Sequence, residues 1–277
     1  MSDSNTQFDY IIVGAGSAGG VMAARLSEDP ALRVLLIEAG SKDSNPFIHI
    51  PFGLSILSRF EGIGWGYHTT VQGELHDREL FWPRGKTLGG SSSVNAMCYI
   101  RGQKEDYDRW AQEGAEGWGF DEVLPYFKRS ENYYQGEDDY HGVGGPLHVS
   151  PLTDTSRLSD AFLAAAPAAD LAVLDDFNRD VREGLGYYHV TQVNGQRCST
   201  AKGYLSQAKH RGNLVILTKV AVEKVLIKNK CAIGVQAREK GNVKRYAARQ
   251  EVILCGGAIN SPHLLMLSGG PRRQLEN

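Results

Sequence analysis

Residues 9–40, DYIIVGAGSAGGVMAARLSEDPALRVLLIEAG, constrain the fold more than any other part of the chain. Tyr10 to Val13 is a short apolar run of the kind a buried parallel strand carries. Gly14, Gly16 and Gly19 follow in G-x-G-x-x-G spacing. The first glycine permits a tight turn, the second lets a pyrophosphate approach the backbone, and the third lets helix and strand pack closely. The pattern predicts a helix over Ser17 to Ser27, ended by Asp29-Pro30. A second strand, Val34 to Ile37, then delivers Glu38, placed about where an acid meets the ribose hydroxyls of a dinucleotide. Glu38 read alone is also consistent with an ordinary strand-end charge, though its position favours the ribose role. Strand, turn, helix, strand and acid within one βαβ-sized span make a dinucleotide site the stronger reading than a Gly-rich turn. The amino-terminus of the helix supplies a positive dipole end for the pyrophosphate.

The second informative segment is GKTLGGSSSVNAMCYIRG, Gly85 to Gly102. Gly89 and Gly90 let a backbone come close to another group because no Cβ intervenes. Ser91, Ser92 and Ser93, with the freed N–H groups, are able to donate hydrogen bonds to an anion. Taken alone, such a run is also consistent with a flexible loop.

Composition narrows the field. The chain has 277 residues, 42% hydrophobic and 22% charged, with a formal net charge of −2. That is ordinary for a globular protein with room for a substantial core and two domains. No basic stripe marks a nucleic-acid binder. The longest uncharged stretch, Tyr10 to Ala24, is too short and Gly-rich to span a bilayer, so no transmembrane segment is expected. The polar first nine residues lack a signal-peptide pattern. Cys98, Cys198, Cys231 and Cys255 are scattered and read as buried free thiols. A cytoplasmic location follows as the expectation, with peripheral membrane contact left open. No H-x-H, H-x-x-x-H or H-E-x-x-H occurs, so no metal site is expected.

Between these landmarks, residues 41–84 read as irregular. Helices are predicted over Gln103 to Glu113 and Asp121 to Ser130, the second carrying Phe120, Val123, Leu124 and Phe127 as a core-packing stripe. Residues 131–150 read as a loop broken by Gly142, Gly144, Gly145 and Pro146. An Ala-rich helix is expected over 157–173, interrupted at Pro167. Strands are expected at Tyr187 to Val193, Leu214 to Lys219, Val220 to Ile227, Gly234 to Ala237 and Glu251 to Cys255. The last enters Gly256-Gly257-Ala258-Ile259-Asn260-Ser261-Pro262 and a helix over His263 to Leu267; taken alone this reads as a generic αβ crossover, and beside the other motifs as another helix amino-terminus near a bound anion or flavin.

Together these residues resemble the glucose–methanol–choline (GMC) family of flavin oxidoreductases, nearest its choline dehydrogenase-like alcohol dehydrogenases. DYIIVGAGSAG with LLIEAG resembles the family's ADP-binding motif, and WPRGKTLGGSSSVNAMCYIRG its first signature. GGAINSPHLLMLSG is similar to the second. GWGFDEVLPYFKRSEN and the DFN of 176–178 are also typical. The resemblance implies FAD rather than NAD; a NAD-dependent dehydrogenase on the same βαβ half is the reading that Gly85 to Gly102 speaks against. It implies that Gly14, Gly16, Ser17, Ala18, Gly19, Glu38 and Ala39 hold the ADP half. Lys86, Thr87, Leu88, Gly89 and Gly90, with Asn95, Ala96 and Met97, would line pyrophosphate and isoalloxazine. Val222 would offer its backbone to the adenine. Val94 stands where some members carry a flavin-linking histidine, so the flavin is expected to be non-covalent.

The implied fold is α/β: a FAD-binding Rossmann-like βαβ domain with an added antiparallel sheet, and the start of a substrate-binding domain. The implied division is 1–150 with 198–277 as the FAD-binding domain and 151–197 as the beginning of the substrate-binding domain. The implied reaction is oxidation of a primary alcohol, choline-like or aliphatic, to an aldehyde by hydride transfer to flavin N5. Its partners would be a small-molecule alcohol and an electron acceptor, without nucleic acid. In the second signature Gly270 runs directly into Pro271, one residue shorter than the family pattern. The family's catalytic histidine lies in a carboxy-terminal portion beyond Asn277. The alternative expectation is therefore a truncated, catalytically inactive flavin-binding remnant. His49, His68, His76, His141, His148, His189, His210 and His263 are candidates for a base only by residue type. No catalytic residue is assigned.

Overall fold

A computed structural model describes residues 6–53, 57 and 62–269. Gly270 and Pro271, where the second signature is one residue short, lie outside them. The chain divides into two compact units, residues 1–95 with 199–277 and residues 96–198. These boundaries fall at Asn95/Ala96 and Cys198/Ser199; the expected division is at 150/151 and 197/198.

The first unit is built on one six-stranded sheet. Its strands, in chain order, are β1 (Gln7–Val13), β2 (Val34–Glu38), β3 (Leu214–Thr218), β4 (Val220–Lys228), β5 (Cys231–Glu239) and β6 (Asn242–Leu254). Helix α1 (Ser17–Leu26) joins β1 to β2, and α2 (Gly257–Leu267) follows β6. The spatial order is β3-β2-β1-β6-β5-β4. The pairs β3/β2, β2/β1 and β1/β6 are parallel, while β6/β5 and β5/β4 are antiparallel. The expected antiparallel addition is thus continuous with the parallel sheet. The long β6 makes it so: its first half pairs with β5, from Asn242 to Ala247, and its second half with β1.

The apolar runs read in the sequence are buried on both faces, as central parallel strands must be. Ile11, Ile12, Leu35 and Leu36 are fully inaccessible. One core cluster joins Phe8, Ile11 and Val13 of β1, Leu35 and Ile37 of β2, Val220, Val225, Val235 and Tyr246 of the antiparallel portion, and Leu264 of α2. Among the described residues no helix is long and apolar enough to cross a membrane.

The second unit carries helices Lys104–Gln112 and Phe120–Ser130, in the places expected, and a helix Arg157–Ala165 that passes into a 3₁₀ turn at Ala166–Ala169. Pro167 lies in that turn, as its missing N–H predicts. Three expectations are corrected. Residues 131–150 are not simply a loop: Glu131–Tyr133 pairs in parallel with Leu147–Val149 across the glycine turn. The strand expected over Tyr187 to Val193 is two short strands, His189–Val190 and Gln192–Val193, in different ladders. Of the four cysteines only Cys198 is buried; Cys98 and Cys231 are exposed and Cys255 is intermediate. Scattered cysteines carry no local pattern from which burial is legible.

Candidate cofactor cleft

β1 ends at a turn whose geometry only glycine accommodates. Gly14 has φ +98°, and its N–H donates to the Ile37 carbonyl at 2.8 Å. A Cβ on Gly19 would lie 1.8 Å from the Gly14 carbonyl oxygen, so the third glycine lets α1 lie against the turn. Gly16 is the N-cap of α1 and has no side chain to satisfy the first N–H groups. A Cβ there would meet nothing nearer than the Gly90 Cα at 3.9 Å.

Glu38 closes the turn from β2. Its Oε2 accepts the Ala15 N–H and its Oε1 the Gly40 N–H, each at 2.8 Å. Burial pushes its carboxyl above the usual range, opposed by the Gly40 and Ala15 N–H groups and by the charge of Lys86. Each carboxylate oxygen has a further acceptor site.

The first part of the glycine–serine segment, residues 85–93, is stitched onto this turn. Gly89 donates to the Ala15 carbonyl at 2.8 Å, and a Cβ on Gly90 would sit 2.6 Å from the Gly16 Cα. The paired glycines therefore bring two backbones together, the use expected of them. Two of the three serines act differently from expectation. Ser92 Oγ donates to the Gly89 carbonyl and Ser93 Oγ to the Leu88 carbonyl. Ser91 Oγ accepts from the Gly85 N–H at 3.3 Å, which leaves its own hydroxyl able to donate into the adjoining space. Short hydroxyl side chains in a tight turn reach their own backbone first.

Beside this turn lies a cleft of about 670 Å³. Of the predicted residues, Gly14, Gly16, Ser17, Ala18, Glu38, Ala39, Gly90 and Val222 line it. Gly19 packs behind it under Gly14, and Gly89 lies against Ala15. Thr87 is inaccessible and donates to the Ser41 carbonyl, as does the Leu88 N–H. Asn95 is exposed, its N–H bonded to the Ser91 carbonyl. Ala96 and Met97 belong to the second unit, where Met97 is buried with φ +64° and its carbonyl accepts from Thr191.

Other lining residues escaped the sequence reading. Trp65 and Tyr67 stack at 5.9 Å between ring centroids, and Lys86 Nζ lies 4.7 Å from the Trp65 centroid. Tyr67 donates to Asn260 Oδ1 at 2.6 Å. Both lie in the irregular stretch 41–84, where the W-x-Y spacing is the available signal. Arg84 and His263 also line the cleft.

The cleft suits the ADP half of a dinucleotide. The amino-termini of α1 and α2 both open onto it, and neither helix has an acidic residue in its first turn. Two positive dipole ends thus face the same space without a neutralising carboxylate. Glu38 is the one acid lining it among the described residues.

Residues 8–275 match the GMC oxidoreductase family. The chain belongs to that family. It is similar to the alcohol dehydrogenase [acceptor] of Pseudomonas putida, 48% identical over 95% of this chain and 48% of the relative. It is similar also to the mitochondrial choline dehydrogenase of Homo sapiens, 45% identical over 97% of this chain and 46% of that protein. Among solved structures it matches pyridoxine 4-oxidase from Mesorbium loti with TM-score 0.90 and 37% identity, over 95% of this chain and 52% of that one. The chain therefore spans about half the length of the relatives it matches. GMC oxidoreductases are FAD-binding flavoproteins, and this portion is their FAD-binding part.

Proposed function

We propose that this GMC oxidoreductase oxidises a primary alcohol, choline-like or aliphatic, to the aldehyde, and that the cleft at Gly14–Gly16 holds the ADP half of its FAD. The observation that carries this reading is the contact between the two glycine motifs, Gly89 N–H on the Ala15 carbonyl and Gly90 against Gly16. A nicotinamide-binding βαβ unit needs no second glycine segment at that turn. The alcohol and choline dehydrogenase relatives support the substrate class.

Bound FAD would supply the acceptor for the hydride that leaves the alcohol carbon. Within the chain, Glu38 binds the ribose hydroxyls with the acceptor sites that Ala15 and Gly40 leave over. The N–H ends of α1 and α2, with the Ser91 hydroxyl, receive the pyrophosphate. The backbone of Val222 meets the adenine. Thr87, Leu88, Gly19 and Gly89 act by holding the turn, and Lys86 by holding Trp65 at the cleft wall. Asn95, Ala96 and Met97 are proposed for the isoalloxazine side.

The test is an absorbance spectrum of the purified chain before and after FAD, followed by anaerobic addition of choline or a short aliphatic alcohol. A flavin band retained by the folded protein supports the cleft assignment, and bleaching by alcohol supports the reaction. A retained band that alcohol leaves unchanged would make the chain by itself a flavin-binding half. Folded protein that takes up no FAD would overturn the cleft assignment.

A further inference from the structure

The second unit contains a buried charge cluster that the proposed reaction does not use. His141 is inaccessible to solvent and lies between two carboxylates. Its Nδ1 is 3.1 Å from Glu131 Oε1 and its Nε2 is 2.8 Å from Asp176 Oδ2. A neutral imidazole has one donor and one acceptor nitrogen, so it would turn a lone pair toward one of these oxygens. Both contacts are favourable only when both nitrogens carry a proton, or when one carboxyl does.

The surroundings of the carboxylates decide between these. Glu131 Oε1 also receives Arg101 Nη2 at 2.7 Å and the Gly142 N–H at 2.9 Å. Asp176 receives the Asn178 N–H at 2.8 Å, and Arg179 Nε lies 3.3 Å from its Oδ2. Besides the imidazole, Glu131 Oε1 and Asp176 each face two donors, an environment that holds the carboxylates ionised, even though Glu131 Oε2 is buried without a partner among the described residues. The ring of Tyr133 stacks on His141 at 3.7 Å between centroids, an arrangement that favours a cation. The remaining charged and titratable neighbours are consistent. Asp138 accepts the His141 and Tyr140 N–H groups and pairs with Arg179. Tyr99 lies beside Arg101, its hydroxyl oxygen 3.4 Å from the guanidinium. His189 sits 3.6 Å from Asp176 Oδ1, with Tyr134 against its ring.

We propose that His141 is an imidazolium at neutral pH and acts as a proton-dependent lock inside the second unit. It joins the segment at Glu131, the turn at 138–142 and the DFN segment at 176–178. The DFN segment in turn holds residues 99–101, because Asn178 Oδ1 accepts the Arg101 N–H and its Nδ2 donates to the Tyr99 carbonyl. Loss of the proton turns one contact into a lone pair against a carboxylate and leaves the buried cluster one charge more negative. The lock is closed at neutral pH, down to the acid range in which Asp176 itself is protonated, and opens in alkali. In agreement, burial pushes the His141 ring down, but its bonds to Asp176 and Glu131 outweigh this and hold it above the ordinary value.

The imidazole ¹⁵N signals of the whole 277-residue chain, followed by NMR against pH, test this. His141 is assigned by its absence from His141→Gln or, should that variant not fold, by ring contacts to Tyr133. Two protonated nitrogens at pH 7, with a transition shifted well above that of a free histidine, are expected. A neutral ring at pH 7 overturns the proposal. Where His141→Gln folds, the thermal midpoint of the wild type should fall more steeply than that of the variant as pH rises above 7. Equal slopes would also overturn the lock.

Discussion

Gly90 packs on Gly16 so closely that a Cβ at 90 would lie 2.6 Å from the Gly16 Cα. Gly90 also has φ +53°. Gly90→Ala therefore combines left-handed strain with a collision against backbone that has no side chain to swing aside. The strain alone costs about 1–2 kcal/mol. Gly241→Ala, with φ +83° and no atom within 4 Å, isolates that part. Denaturant melts of the two variants are expected to show Gly90→Ala as the more destabilised, and Gly90→Ala to lose FAD retention. Equal losses in both would mean that the contact between glycines is unimportant.

Gly16→Ala separates binding from folding. Gly16 has φ −76°, which alanine adopts readily, and its Cβ would project toward open space. Stability should change by no more than about 0.5 kcal/mol, as for a position without strain or burial. The methyl group would stand where the pyrophosphate approaches, so FAD affinity should fall at least about tenfold, equivalent to about 1.4 kcal/mol. Fluorescence titration with FAD beside a thermal melt measures both.

Glu38→Gln tests the carboxylate that spans Ala15 and Gly40. Glutamine offers one oxygen to two buried N–H groups, leaving one facing an amide N–H₂. A buried donor left without its acceptor costs about 1–3 kcal/mol. A denaturant melt should show that loss without FAD, and FAD binding should weaken further than Gly16→Ala predicts for the pyrophosphate alone. An unchanged melt would show that the two N–H groups find other acceptors.

Asp176 sets an acid limit on the second unit. Burial pushes its carboxyl up, but His141, the Asn178 N–H and the histidine charges pull it down, to about 2. The folded value lies below the unfolded one, so the stability is present above the unfolded value of 3.8 and is lost as pH falls through about 2. The shift corresponds to stability on the order of 2 kcal/mol. Asp176→Asn should be less stable than wild type at pH 6, with the gap narrowing toward pH 2, in denaturant melts across that range. A gap that stays constant with pH would remove Asp176 from the acid response.

The opening βαβ unit was legible from residues 9–40 because every signal in it is local. The apolar run, the glycine spacing and the strand-end acid act over distances that periodicity and turn chemistry register. The observed helix ends one residue before the predicted Ser27, and β2 ends on Glu38 itself. The antiparallel strands were legible for the same reason, although β6 runs much longer than its apolar end suggested; α2 begins at Gly257, six residues before the expected His263, and carries Pro262 inside it.

Long-range partners were not legible. Nothing local in Ser92 or Ser93 tells whether a hydroxyl faces an anion or its own backbone. Nothing in W-x-Y says that Trp65 will carry Lys86 on its ring. The ion cluster is the clearest case. Arg101 and Glu131 are 30 residues apart, Glu131 and His141 are 10, and His141 and Asp176 are 35. By itself the sequence determined the βαβ frame, its glycine turn and the family, since these rest on short-range sterics and spacing. The tertiary structure decided which glycines touch, which hydroxyls remain available and which histidine is enclosed by carboxylates. Those depend on desolvation and on distances between segments that meet only once the chain has folded.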